Sequence, residues 1–182
     1  MKDNLEIELK FKLDNMAEFR AAIDKIGARI FHLRVLETTT MYDNPSKFMI
    51  ESDGRLRIRT AGHINSLSYK RPVTRNGIKV EIEYESEIEN PEQVAFVLKE
   101  LGYTPVSSYQ RHRTIWELGG VKVFLDEFSF GNYVEIEGEK EPIKKLAVKL
   151  GFDLNANITR SYDGIYKDLC LSKGITPDPH FK

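Results

Sequence analysis

The chain has 182 residues, of which 41% are hydrophobic and 30% charged, and its 27 Lys and Arg face 28 Asp and Glu for a net charge of -1. That length predicts one domain with a sizeable core, and the balance of charge argues against nucleic-acid binding driven by bulk attraction. A lone cysteine, Cys170, excludes an internal disulfide and a Cys-based zinc cluster. The opening residues alternate charged and apolar, and no apolar run reaches ~18 residues, so a cytoplasmic protein that neither spans nor binds a membrane is expected.

Period-2 alternation runs through the chain, and successive side chains of a strand point to opposite faces. In the first strand Leu5, Ile7, Leu9 and Phe11 share one face, and Glu6, Glu8 and Lys10 the other. Residues 15–26 then place Phe19, Ile23 and Ile26 at helical spacing and stop at Gly27. Residues 43–54 read as a longer polar loop. Arg55, Arg57 and Arg59 alternate with Leu56 and Ile58; after the turn at 61–65, Ser66, Ser68 and Lys70 alternate with Leu67 and Tyr69. A turn at Asn76-Gly77 leads to Lys79, Glu81, Glu83 and Glu85, interleaved with Val80, Ile82 and Tyr84.

A second helix is predicted over 91–101, with Asn90 as N-cap, Pro91 at the first helical position and Gly102 as the stop. The strand carrying Arg111 and Arg113 alternates less cleanly, because Gln110, His112 and Thr114 are polar too. Beyond Gly119-Gly120, Lys122 and Asp126 oppose Val121, Val123 and Leu125; beyond Gly131-Asn132, Glu135 and Glu137 flank Ile136. Helices over 142–150 and 160–173 follow, the latter with a Tyr162, Ile165, Tyr166 and Leu169 stripe read as packing. The TPDPHFK ending reads as a mobile tail.

Shifting the chain by 75 residues overlays Glu6-Ile7-Glu8 on Glu81-Ile82-Glu83, Asn15 on Asn90 and Gly27 on Gly102. Two occurrences of so long a period fit a duplicated, pseudo-two-fold domain rather than a solenoid. The expected organisation is one domain over 1–174, with halves of about 1–75 and 76–150, a C-terminal helix, and a tail over 175–182.

Four amphipathic helices need apolar surface to cover, and the apolar strand faces are its only large source. The charged faces are also segregated by sign, strand by strand. Two carboxylates ~7 Å apart at i and i+2 repel by about 2 kcal/mol at an effective dielectric near 20, a cost that free surfaces avoid by mixing signs. The pattern predicts an α+β protein: a closed, mostly antiparallel barrel of about eight strands around a charged lumen, with the helices outside.

Carboxylates without His or Cys partners select hard cations such as Mg2+ or Mn2+, and converging Arg and Lys select a polyanion. Together they equip phosphoryl chemistry, and a triphosphate offset by two metal ions suits the balance. His32, His63, His112 and His180 lack ligand spacing, and Trp116 reads as core or a barrel-exterior contact rather than a base-stacking platform.

Glu6-x-Glu8-x-Lys10, Leu56-Arg57-Ile58-Arg59, Ser68-Tyr69-Lys70, Glu81-Ile82-Glu83, Arg111 and Arg113, Leu125-Asp126-Glu127, Glu135-Ile136-Glu137 and Arg160-Ser161-Tyr162 follow one another in order. This set resembles the CYTH superfamily, the triphosphate tunnel metalloenzymes, and most of all their class IV adenylyl cyclase branch. The resemblance implies an eight-stranded tunnel in which Glu6, Glu8, Asp126, Glu135 and Glu137 bind metal. It implies that Arg57, Arg59, Lys70, Arg111 and Arg113 clamp the triphosphate, with Lys10 also near the phosphates. Glu6, Glu8, Lys10, Asp126 and Glu137 would then be the catalytic set. Glu81 and Glu83 would either bind metal or brace the basic residues. Relatives commonly carry Lys where this chain has Arg111, which does not deprotonate, so proton transfer is not expected there.

The expected reaction is ATP to cyclic AMP and pyrophosphate. The alternative is hydrolysis of tripolyphosphate, a nucleoside triphosphate or another organic triphosphate, since fold-level analogy does not fix a substrate. A non-catalytic polyphosphate or nucleotide sensor would have lost acidic lumen positions, and here all are present. The expected partner is a triphosphate-bearing small molecule, ATP or tripolyphosphate, without nucleic acid; a homodimer stays open.

Overall fold

The computed structural model describes residues 4–75 and 77–182, so Asn76 of the expected Asn76-Gly77 turn and the first three residues lie outside the described part. In chain order the elements are β1 (Leu5–Leu13), α1 (Met16–Lys25), β2 (Arg29–Asp43), α2 (Phe48–Glu51), β3 (Arg55–Ala61), β4 (Ile64–Thr74) and β5 (Lys79–Glu87). They continue as α3 (Pro91–Glu100), β6 (Thr104–Leu118), β7 (Val121–Phe128), β8 (Gly131–Glu137), α4 (Lys140–Lys149), α5 (Tyr162–Ser172) and β9 (His180–Phe181). The sheet runs β2-β3-β4-β5-β1-β8-β7-β6, and a further β2–β6 pairing closes it into an eight-stranded antiparallel barrel.

The duplication is written into the pairing. Exchanging β1 with β5, β2 with β6, β3 with β7 and β4 with β8 maps every barrel contact onto another or onto itself. The register obeys the 75-residue shift as well: Glu6 faces Glu81 directly across the β1–β5 ladder, so the pseudo-two-fold passes between them. On the far wall the same axis passes beside the Glu37–Arg111 pair of the β2–β6 ladder.

Helix starts follow local chemistry. Asn15 and Asn90 cap α1 and α3, their side-chain oxygens accepting from backbone N–H groups two or three residues on. Gly27 and Gly102 end those helices with φ of 76° and 85°, which glycine adopts without a Cβ clash. The apolar strand faces point outward, as the alternation requires. Leu9, Phe11, Val123, Leu125, Val134 and Ile136 pack against Phe19 and Ile23 of α1 and Ile143, Leu146 and Ala147 of α4. Burying each such large side chain contributes about 1.5–3 kcal/mol. Trp116 joins this outer core, edge-on to Phe19 with ring centroids 5.9 Å apart. Leu98 of α3 covers Tyr42 and Ile58 in a separate cluster on the other half.

Three elements depart from the sequence expectations. The loop at 43–54 contains α2, held by the Asp43 carboxylate, which accepts from the backbone N–H groups of Met49 and Ile50. The long β2 is a strand that alternation does not signal, because Thr38, Thr39 and Thr40 are polar on both faces and register shifts between Ile30 and His32 and between His32 and Val35 interrupt its start. The tail is docked rather than loose: β9 pairs in parallel with β6, and Phe181 is buried on Tyr166, ring centroids 4.0 Å apart.

Candidate active site

The inward faces of the eight strands line a cavity of about 460 Å3. Each sequence-predicted residue except Asp126 borders it or lies in its wall of ion pairs, and Asp126 is fully buried behind Arg111 and Arg113. The tunnel has two distinct ends. One gathers the start of β2, the β3–β4 and β6–β7 hairpins, and the ends of β5 and β8. The other is covered by the segment entering α5.

At the covered end, Lys10 Nζ donates to the Arg160 carbonyl (2.9 Å) and lies 4.0 Å from the centre of the Tyr162 ring. Main-chain and side-chain bonds fasten this cover: Ile158 N–H to the Lys10 carbonyl (2.8 Å), Lys10 N–H to Asn157 (2.8 Å), and Arg75 to the Thr159 carbonyl (3.3 Å). Tyr162 therefore does more than pack. Its hydroxyl donates to Asp126 (2.7 Å), and burial beside that carboxylate holds the phenol well above its usual range. Periodicity marked Tyr162 as an apolar-stripe residue, and only the aim of α5 into the barrel reveals its second part.

One wall is built around Asp126. Arg113 binds it bidentately at 2.6 Å through Nε and Nη2 and also reaches Glu135 (2.6 Å), while Arg111 reaches it at 3.3 Å. Arg111 is anchored from the other side by Glu37 through Nε (2.9 Å) and Nη2 (2.8 Å). Burial alone would raise the Glu37 carboxyl, but Arg111 and Arg113 outweigh it and hold the group at about 2. Burial and Arg113 work against the charge on Arg111, yet Asp126 and Glu37 push its pKa up, so it is a fixed cation. Glu37 was missed because β2 was missed. Once β2 is a strand paired with β6, its facing partner Arg111 gives it away.

On the opposite wall, Arg57 pairs with Glu83 (3.3 Å), Arg59 with Glu85, and Arg55 with Glu81. Lys70 bridges Glu6 and Glu83, the latter at 3.0 Å, and Lys79 bridges Glu8 (2.9 Å) and Glu81 (3.0 Å). Burial opposes the charge on Glu81, but Lys79 and Arg55 win and hold it at about 2. Glu8 is likewise lowered by Lys79 and Lys10 against burial, and Glu135 lies well below its usual range under Lys10 and Arg113. Arg55, Lys79 and Glu85 share the parity of their named neighbours, so the alternation already assigned them to the lumen.

The mouth is different. Glu137 makes no ion pair among the described residues, and burial together with Glu6 pushes its carboxyl up to about 7. Glu6 is also raised, by burial first and then by Glu8 and Glu83, in spite of Lys70. No three His, Cys, Asp or Glu side chains among the described residues converge as a ready metal cage. The donor chemistry at Glu6 and Glu137 nonetheless fits a hard divalent ion: oxygen ligands of like charge, half-buried, whose mutual repulsion a dication would remove. Asp126 fits less well, its two oxygens already taken by Arg113, Arg111 and Tyr162.

A strongly charged, largely self-neutralised tunnel inside an eight-stranded barrel defines a class, and the comparisons agree. The CYTH domain model matches residues 4–162, and the chain belongs to the CYTH family. It is 25% identical to a Methanocaldococcus jannaschii protein named as a putative adenylate cyclase, over 73% of this chain and 76% of that one. A solved structure of a putative adenylate cyclase from Vibrio parahaemolyticus superposes with a TM-score of 0.80 at 20% identity, covering 88% of this chain and 97% of that one. A Hippeastrum protein described as a putative adenylyl cyclase with a dominant triphosphatase activity superposes with a TM-score of 0.61 at 19% identity, over 93% and 96%. Among the described residues no helix is long and apolar enough to cross a membrane.

Proposed function

We propose that this protein is a divalent-metal-dependent enzyme acting on a triphosphate, with an adenylyl cyclase-like reaction, ATP to cyclic AMP and pyrophosphate, as the primary reading. One observation carries it: two walls of fixed cations face each other across the lumen, while the carboxylates at its mouth lack full compensation. Arg57, Arg59, Lys70, Arg111 and Arg113 hold the phosphate chain, and Lys10 marks its deepest reach beneath Tyr162. Glu81 and Glu83 brace the clamp, because both are engaged in ion pairs. Glu6 and Glu137 would hold Mg2+ or Mn2+, with Glu8, Glu135 and Asp126 joining only on exchange of their cationic partners. Such an ion, when bound, lowers the pKa of the attacking hydroxyl and offsets the charge of the leaving pyrophosphate.

In this reaction the ribose 3′-oxygen forms a bond to the α-phosphorus, and the bond from that phosphorus to the bridging oxygen of the pyrophosphate breaks. The hydroxyl proton passes to solvent, and the clamp arginines stabilise the departing charge. Hydrolysis of the terminal phosphate uses the same clamp, with water as nucleophile; the activity ascribed to the Hippeastrum neighbour favours keeping this second reading.

Incubation with ATP, and separately with tripolyphosphate, in Mg2+ or Mn2+, followed by chromatography of the products, separates the readings. Cyclic AMP with pyrophosphate supports the cyclase. Orthophosphate without cyclic AMP supports the hydrolase, and no product from either overturns both.

A further inference from the structure

Just outside the charged lumen the mouth gains apolar residues among polar ones such as His32, Glu87 and Lys122. Phe31 and Val35 of β2, Ala61 and Ile64 at the β3–β4 hairpin, and Ile115 of β6 border the same cavity as Glu6 and Glu137. Phe31 is 58% exposed and Ile64 38%, a costly arrangement in water for residues that neither fill the outer core nor meet a helix. Val35 shares the parity of the lumenal Glu37 in unbroken register, and the register shifts of β2, between Ile30 and His32 and between His32 and Val35, fall around Phe31 where the strand reaches the opening. Bulges are over-represented beside binding sites. The Lys122 ammonium lies 5.5 Å from the Phe31 ring centre, which ties the ring to the edge of the charged zone.

We infer that this collar binds the flat aromatic head of an organic triphosphate by stacking on Phe31, making Phe31 a specificity-determining residue. The inference rests on the triphosphate reading above and narrows its substrate class, because inorganic tripolyphosphate has no surface to offer a phenyl ring. With the head in the collar and the phosphates inside, the phosphate bonded to the organic group lies beside Glu6 and Glu137, and the terminal one points toward Lys10. Aromatic stacking of a base contributes enough binding energy to change affinity by roughly tenfold or more.

Calorimetric titration with Mg2+ present, of the protein and of Phe31→Ala, tests this with ATP and with tripolyphosphate. The expected result is ATP affinity weakened roughly tenfold in Phe31→Ala, tripolyphosphate affinity unchanged within about twofold, and ATP binding restored in Phe31→Trp. Equal losses for both ligands, or no loss for ATP, would overturn the collar while leaving the triphosphate reading intact. Failure of the unaltered protein to bind either ligand would remove that reading and the collar with it. Because Phe31 is exposed, the melting temperature of Phe31→Ala should match the parent, which separates a binding defect from a folding one.

Discussion

The covered end of the tunnel and its mouth are made of the same residue types, and they behave as opposites. Toward the covered end the named charges are answered: Asp126 by two arginines and a tyrosine, with Glu37 holding one of those arginines from the far side, and Lys10 by Glu135 (3.3 Å) and a carbonyl. At the mouth Glu137 has no ion pair among the described residues, and Glu6 is raised despite Lys70. Pairing fixes geometry, and incomplete pairing stores a demand for cations.

Removing the centre of the fixed end should have the largest effect. Asp126→Ala leaves Arg111 and Arg113 buried without their shared partner and is expected to cost about 3–5 kcal/mol, read by urea unfolding. A loss below ~1 kcal/mol would mean that the two arginines find water instead, and the contrast between ends would collapse.

Acid titration probes the same charge network more gently. The Glu37 carboxyl is held at about 2 against an ordinary value of 4.5, so its contribution is fully present above about pH 4.5 and lost as pH falls toward 2. Glu37→Gln should therefore cost a few kcal/mol at neutral pH, with the two unfolding curves converging in acid. A gap that stays constant from pH 7 down to 2 would detach the effect from ionisation. Tyr162→Phe, which deletes one donor to Asp126 and keeps the ring under Lys10, should cost about 1.5 kcal/mol in the same assay.

The mouth should give the smallest stability change and the sharpest functional one. Glu137→Gln removes a repelling charge, so stability is expected to hold or rise, within about 1 kcal/mol. Turnover should be abolished. The stabilisation by Mg2+ with tripolyphosphate, about 2.7 kcal/mol at a hundredfold excess over Kd in the parent, should shrink sharply. A variant that unfolds more easily yet keeps its turnover would reverse the assignment of the two ends.

Much of this was legible from parity alone. A strict two-residue period separates Glu6, Glu8 and Lys10 from Leu9 and Phe11 without any knowledge of what packs on either side, and helix spacing supplied the cover for the apolar face. What escaped depends on tertiary aim. Strand β2 hides behind its bulges, and with it went Glu37 and the mouth residue Phe31. Tyr162 sits in an apolar stripe of α5, and sequence spacing does not tell that its hydroxyl enters the barrel. The Phe181 anchor on β6 is a long-range contact made by two residues within a polar, proline-containing tail, which no local pattern announces.

The crossed pairing of the two halves also governs how the chain reaches this structure. Strand β1 is zipped to β8, with Leu9 opposite Ile136, and the ladders β1–β5 and β2–β6 stitch one half to the other. The barrel thus waits on partners as far apart in the chain as Leu9 and Ile136, the kind of non-local contact that slows folding to milliseconds or longer. A half synthesised alone would leave β1 without a partner and β2 and β4 as bare edges, open to pairing with any neighbouring chain. The duplicated halves are interdependent, and the barrel assembles as a whole or is left with sticky seams.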